Sequence, residues 1–148
     1  MKITFFGHSD FYAGDKYDKY KEKALAILES VAADSDVEFL LGEYGGFDGF
    51  AYTVASEFAK NHPKARLTHV LAYIKPKEDY PPFRRFDSTV YPGIETVPPR
   101  FAIIHRNRWM ANEADAVIAY VAHGWGGTYQ AYKYALGRGK RVFNLYEE

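Results

Sequence analysis

The chain has 148 residues, 47% of them hydrophobic, 18% aromatic and 26% charged, a balance that suits one domain with a sizeable core and excludes a disordered chain. Nineteen Lys and Arg residues offset nineteen Asp and Glu, so no overall positive field gathers a polyanion such as duplex DNA. Nucleic acid is therefore not the expected partner, although a neutral total permits a local basic patch.

Cysteine is absent, which excludes disulfides, thiolate zinc sites and cysteine nucleophiles and fits a reducing, cytoplasmic setting. No apolar run approaches the roughly 20 residues that span a bilayer, and MKITFFGHSD lacks the shape of a signal peptide. The expectation is one domain over 1–148 with no membrane association.

In chain order, Ile3 to Phe6 is a short apolar run ended by Gly7, as in a strand buried on both faces. From about Asp15 to Ala33, Ala24, Ile27, Leu28 and Val31 recur at helical spacing. Val37 to Leu41 reads as the second strand. It ends in GEYGG, after which Asp48 can cap a helix running to about Asn61, with Pro63 stopping it. Thr68 to Ile74 reads as the third strand.

Residues 75–99 hold six prolines and mixed charges, and read as an irregular excursion of the kind that often serves function. Pro98 and Pro99 suit the first turn of a helix over RFAIIHRNRWMANEA, because proline's missing donor is not needed there. Its apolar face is read as Ile103, Ile104, Met110 and Ala111, with Arg106 and Asn107 in or beside that stripe, Arg100 near the same face and Arg108 pointing away. Asp115 opens DAVIAYVA, a buried-strand pattern. HGWGGT and the helix YQAYKYALGR follow, with Gly139 as carboxyl cap before a last strand, Arg141 to Tyr146.

Alternating strands and helices predict an α/β, Rossmann-like three-layer sandwich with a mostly parallel sheet. Three strands end directly in glycine and polar residues before a helix: GHSD, GEYGGFD and HGWGGT. In such sheets ligands bind outside the carboxyl ends of the strands. Within His123–Thr128, Gly124, Gly126 and Gly127 let backbone amides approach an anion, and the helix amino terminus adds partial positive charge, so phosphate is the natural occupant. The plainer reading is a tight turn in which Thr128 only caps the helix.

In the second loop, Gly42, Glu43, Gly45, Gly46 and Asp48 set a carboxylate on each side of a glycine pair, where ribose hydroxyls can be gripped. Glu43 is the better candidate, because Asp48 as a plain cap is ordinary helix grammar. In the first loop, Gly7, His8 and Ser9 can bond a base or phosphate, or His8 can simply bond backbone. No metal-ligand spacing links the histidines, and neither metal nor cofactor is expected. A guanidinium at Arg106 needs an anion, either a protein carboxylate or a ligand phosphate held by its fork, with Arg100 and Asn107 beside it. Tyr129 and Tyr132, near each other on a helix, are explained more simply by packing than by base stacking.

Together, TFFGHSDF, GEYGGFDGFA, TVYPGIETVPPRFAIIHRNRWM and ADAVIAYVAHGWGGT resemble the SLOG superfamily of Rossmann-like nucleotide-binding domains, which includes the lonely guy phosphoribohydrolases. The likeness runs over nearly the whole chain and is similar to the small bacterial and phage YpsA/YoqJ branch. Arg106, Met110 and Asp115 match the hydrolases' arginine, methionine and strand-opening aspartate in spacing. Asn107 replaces their lysine, and Gln130 or Ala131 stands where the catalytic glutamate would be. Cleaving an N-glycosidic bond calls for a carboxylate that stabilises an oxocarbenium-like centre or activates water, which glutamine and alanine cannot do.

The resemblance therefore implies the pocket more than the reaction. It implies a module that binds a nucleotide or nucleotide-derived ligand, such as an NAD-derived or cyclic signalling nucleotide, as sensor or sequestering device, and it implies a homodimer. The alternative is a nucleoside monophosphate phosphoribohydrolase or transferase, with Glu43, Asp48 or Glu95 supplying the acid. A third reading is a DNA-processing accessory protein, since one such protein belongs to the superfamily.

Overall fold

A computed structural model describes residues 1–32, 34–42, 45–72, 84–92 and 98–147. Six strands form one sheet in the order β4-β3-β2-β1-β5-β6, namely β1 Lys2–Gly7, β2 Glu38–Leu41, β3 Arg66–Val70, β4 Ser88–Val90, β5 Ala116–Tyr120 and β6 Arg141–Asn144. Every pairing is parallel. The four helices are α1 Tyr17–Ala32, α2 Gly46–Lys60, α3 Ala102–Glu113 and α4 Gly127–Gly137.

Side-chain alternation along the central strands sorts the helices into two layers. Ile3 and Phe5 of β1, Phe39 and Leu41 of β2 and Ile118 of β5 face a core closed by α1 and α2. Phe6, Leu40, Val117 and Ala119 face the opposite core, closed by α3 and α4. Both faces of the sheet are thus buried, which explains why the strands read as continuous apolar runs. The Thr4 hydroxyl, fully buried in β1, donates to the Leu40 carbonyl at 2.8 Å, so the polar atom carries no desolvation penalty there.

Several elements differ from the sequence reading. The third strand ends at Val70 and starts two residues earlier, at Arg66; residues 73 and 74 lie outside the described residues. The 75–99 segment is not wholly irregular, because Ser88–Val90 joins the sheet edge as β4. Asp87 locks this pairing, its amide donating to Leu67 O and its carboxylate accepting from Leu67 N, a local device invisible beside six prolines. The last strand stops at Asn144.

Helix α2 starts at Gly46 with Gly45 as N-cap and no side-chain capping bond, so Asp48 is not the cap but lies in the first turn. The buried stripe of α3 is Ala102, Arg106, Met110 and Ala111, whereas Ile104 is 47% exposed. Burying Phe47, Phe50, Val54 and Phe58, each worth about 1.5–3 kcal/mol, fixes where α2 begins more strongly than a cap worth about 1 kcal/mol.

Candidate functional site

Strand order reverses direction in sequence between β1 and β5, so the chain leaves these neighbours toward opposite layers and a crevice opens at their carboxyl ends. Gly7 and Tyr120 stand side by side as the last paired residues. A cleft of about 430 Å³ lies here, lined by Phe5, Phe6, Gly7, Ser9, Gly45, Asp48, Ile103, Arg106, Asn107, Met110, Gly127 and Thr128. That volume is within the range of small-molecule sites.

Arg106 is the most unusual lining residue, a guanidinium side chain only 4% exposed. Its Nη2 and Nε donate to the Asn107 Oδ1 at 2.9 and 3.3 Å, which orients the fork. The guanidinium lies across Gly42 at the end of β2, where a Cβ would come within 2.7 Å of Nη1. Gly42 is therefore a support beneath Arg106 and does not line the cleft. Asp48, from the first turn of α2, lines the same cleft.

The amino terminus of α4 forms another wall. Its N-cap is Gly126, at φ 93°, with no side-chain capping bond and no acidic residue in the first turn. Glycine is the residue that takes this φ without strain. The first amides of the helix have no intrahelical acceptor, and the macrodipole places partial positive charge there. A Cβ on Gly127 would meet nothing within 4 Å, so the turn is open toward the cleft. The Thr128 hydroxyl does not cap the helix: it donates to the Gly7 carbonyl at 2.8 Å, tying α4 to β1 across the crevice.

The remaining predicted residues fall around this centre. Ser9 contributes its carbonyl to the Gly46 amide at 2.7 Å, which joins the first and second loops. The imidazole of His8 is 7% exposed and its Nε2 accepts from the Ala122 amide at 2.9 Å. Burial, with His123 alongside, holds its pKa below the ordinary 6.5, so the neutral ring is the acceptor. Gly124 and Gly126 belong to the turn that leads into α4, with Gly126 as its N-cap, and neither lines the cleft. Arg100 is exposed in the turn preceding α3, its guanidinium 4.9 Å from the Phe101 ring centroid, and does not line the cleft. Glu43 and Glu95 lie outside the described residues.

Sequence reasoning missed two features. Phe6 of β1 with Ile103 and Met110 of α3 gives the cleft an apolar wall; Phe6 faces it because its side chain lies on the α3 and α4 side of the sheet, whereas the side chain of Phe5 packs in the opposite core. The rings of His8, His123 and Trp125 form a continuous stack, with centroids 3.8 Å apart at each step. The only signal for it was a tryptophan set among glycines. Among the described residues there is no cluster of three or more His, Asp or Glu that could hold a metal, and no helix is long and apolar enough to cross a membrane.

No family model matches the chain, and no curated protein matches it in sequence. Solved structures do share its fold. DNA processing protein A from Streptococcus pneumoniae superposes with a TM-score of 0.67 at 20% identity, over 97% of this chain and 49% of that one. The Helicobacter pylori protein of the same name, described for its mode of binding single-stranded DNA, gives 0.65 at 17% identity, over 100% and 66%. TM1055, a structural-genomics target, gives 0.60 at 16% identity, over 95% and 71%. These likenesses show a Rossmann-like α/β fold. The chain spans about half the length of the pneumococcal protein.

Proposed function

We propose that this chain is a SLOG-type module that binds the phosphate of a nucleotide or nucleotide-derived ligand in the cleft between β1, α3 and the amino terminus of α4. The observation that carries this reading is the convergence of a buried, Asn107-oriented guanidinium with the open amino terminus of α4 on one cleft. A guanidinium fork and helix amides are complementary to tetrahedral oxyanions. The apolar wall of Phe6, Ile103 and Met110 excludes water from one side of the site, which strengthens charge-assisted bonds there.

Calorimetric titration with a panel of nucleoside monophosphates tests the reading. Binding is expected for the native chain, with at least a tenfold loss in Arg106→Ala, in line with about 1.5–3 kcal/mol for a hydrogen bond to a charged group. Arg106→Lys keeps the charge without the fork and is expected to lie between the two. Equal affinity in all three proteins overturns the role of Arg106.

A hydrolase reading is favoured by one observation, Asp48 lining the same cleft as Arg106. Release of free base from a nucleoside monophosphate, lost in Asp48→Asn, would establish turnover in place of simple binding. The single-stranded DNA reading draws on the Helicobacter pylori neighbour and is addressed by salt dependence below. Association into a homodimer is proposed through the α3 and α4 layer, where Phe101, Ile104 and Leu136 are each more than 40% exposed. Sedimentation is expected to give twice the 16.9 kDa of one chain, and the mass of a single chain for Ile104→Asp.

A further inference from the structure

We propose that Trp125 is the stacking platform for the aromatic base of the ligand, so that the site selects mononucleotides over sugar phosphates by the π-face of the base. This rests on the phosphate-cleft reading above and adds a second subsite to it.

The indole is 69% exposed, a costly position for a side chain that can bury 150–250 Å². It is nonetheless well held. One face packs on His123 at 3.8 Å and 16°, and His123 packs on His8 at 3.8 Å and 12°. His8 is itself anchored by the Ala122 amide and meets Tyr120 edge-on at 6.2 Å. The Nδ1 of His123 is buried with no hydrogen-bond partner among the described residues, so stacking rather than bonding at that atom sets the ring's place. The three planes are nearly parallel, and the outer face of the indole is where a fourth ring continues the pile.

Its location fits the same ligand. Trp125 lies between Gly124 and Gly126, neither of which has a side chain to screen it, and directly precedes the N-cap of α4. The ring stack and that helix start are adjacent, since a Cβ on Gly126 would stand 3.9 Å from His123 Cε1. Trp125 and Gly127 are two residues apart, at most about 7 Å between Cα atoms, a separation that one ribose bridges between phosphate and base. A preorganised ring loses little freedom on binding. Stacking reads a π-face and not a hydrogen-bonding edge, so discrimination among bases is expected to be weak and that against a missing base strong.

The experiment is calorimetric titration of the native chain, Trp125→Ala, Trp125→Phe and Arg106→Ala with adenosine 5′-monophosphate, ribose 5-phosphate and inorganic phosphate, each protein checked for fold by circular dichroism. The native chain is expected to prefer the nucleotide over ribose 5-phosphate by about tenfold or more. Trp125→Ala should erase that preference while leaving ribose 5-phosphate affinity unchanged, and Trp125→Phe should retain most of it. Equal native affinity for the two ligands, or an intact preference in Trp125→Ala, overturns the stacking role while the phosphate reading stands. Loss of all three ligands in Arg106→Ala alone supports the phosphate reading. Absence of binding to any ligand by the native chain overturns both. Tighter binding of a thymidine oligomer than of any mononucleotide, still dependent on Trp125, would assign the platform to single strands and overturn the mononucleotide proposal.

Discussion

Gly7 meets two demands at the mouth of the cleft. A Cβ there would stand 2.0 Å from the Phe47 ring, and its carbonyl accepts the Thr128 hydroxyl. Gly7→Ala is expected to destabilise the fold by about 1–3 kcal/mol, the usual cost of forcing atoms into a packed core, because Phe47 is buried and cannot swing away. Urea denaturation measures this, and an unchanged midpoint would mean that Phe47 repacks freely. Thr128→Val keeps the shape and removes only the donor, so a loss of about 1 kcal/mol is expected in the same assay. Thr128 also shows how a residue can be legible in place but not in role. The sequence marks it as the residue after a glycine turn, and capping is the common reading there. Its hydroxyl turns to Gly7 because the parallel β1 and β5 pairing brings that carbonyl within reach, and no local pattern contains that information.

At the level of elements, the loop after β5 is tied to β1 by a histidine whose protonation state matters. His8 Nε2 can accept the Ala122 amide only while neutral, and its folded pKa lies below 6.5. Below 6.5 the unfolded chain binds the proton more readily than the folded one, so stability is full above that pH and falls as pH drops through the folded value. A decline in melting temperature of roughly 2–5 °C, from about 1 kcal/mol for the lost bond, is expected over that window. His8→Gln, which cannot titrate, should flatten it; an identical decline in the variant would assign the effect to other groups. Helix α3 offers the complementary case. Its period was readable, and it placed Arg106 and Met110 on one face. Ile104 stands outside the buried stripe, because the small α4 residues Ala131 and Ala135 bring the two helices together along the line of Met110 and Ala111. Met110→Ala is expected to cost about 2–5 kcal/mol, since it opens a void between α3 and the sheet.

Across the whole molecule, the balance of nineteen positive and nineteen negative residues conceals an uneven distribution. Residues 98–142, which hold α3, β5 and α4, carry seven Lys and Arg against two Asp and Glu. If this layer is a path for single strands, retention on a thymidine oligomer will fall steeply between 50 and 200 mM salt and weaken further in Arg108→Ala with Lys133→Ala, as counterion release requires. Salt-independent or absent retention leaves the mononucleotide cleft as the better account. The sequence by itself determined the alternation of strands and helices, the parallel sheet and the three glycine turns that close on its carboxyl end. These follow from periodicity and turn chemistry, which act over a few residues. Only the tertiary structure decided that Gly42 is the bed beneath Arg106, that Asn107 orients it, that a three-residue edge strand lies inside a proline-rich stretch, and that His8, His123 and Trp125 share one stack. Each of those depends on contacts between residues distant in the chain, fixed by strand order and register, and a pattern read along one dimension does not specify them.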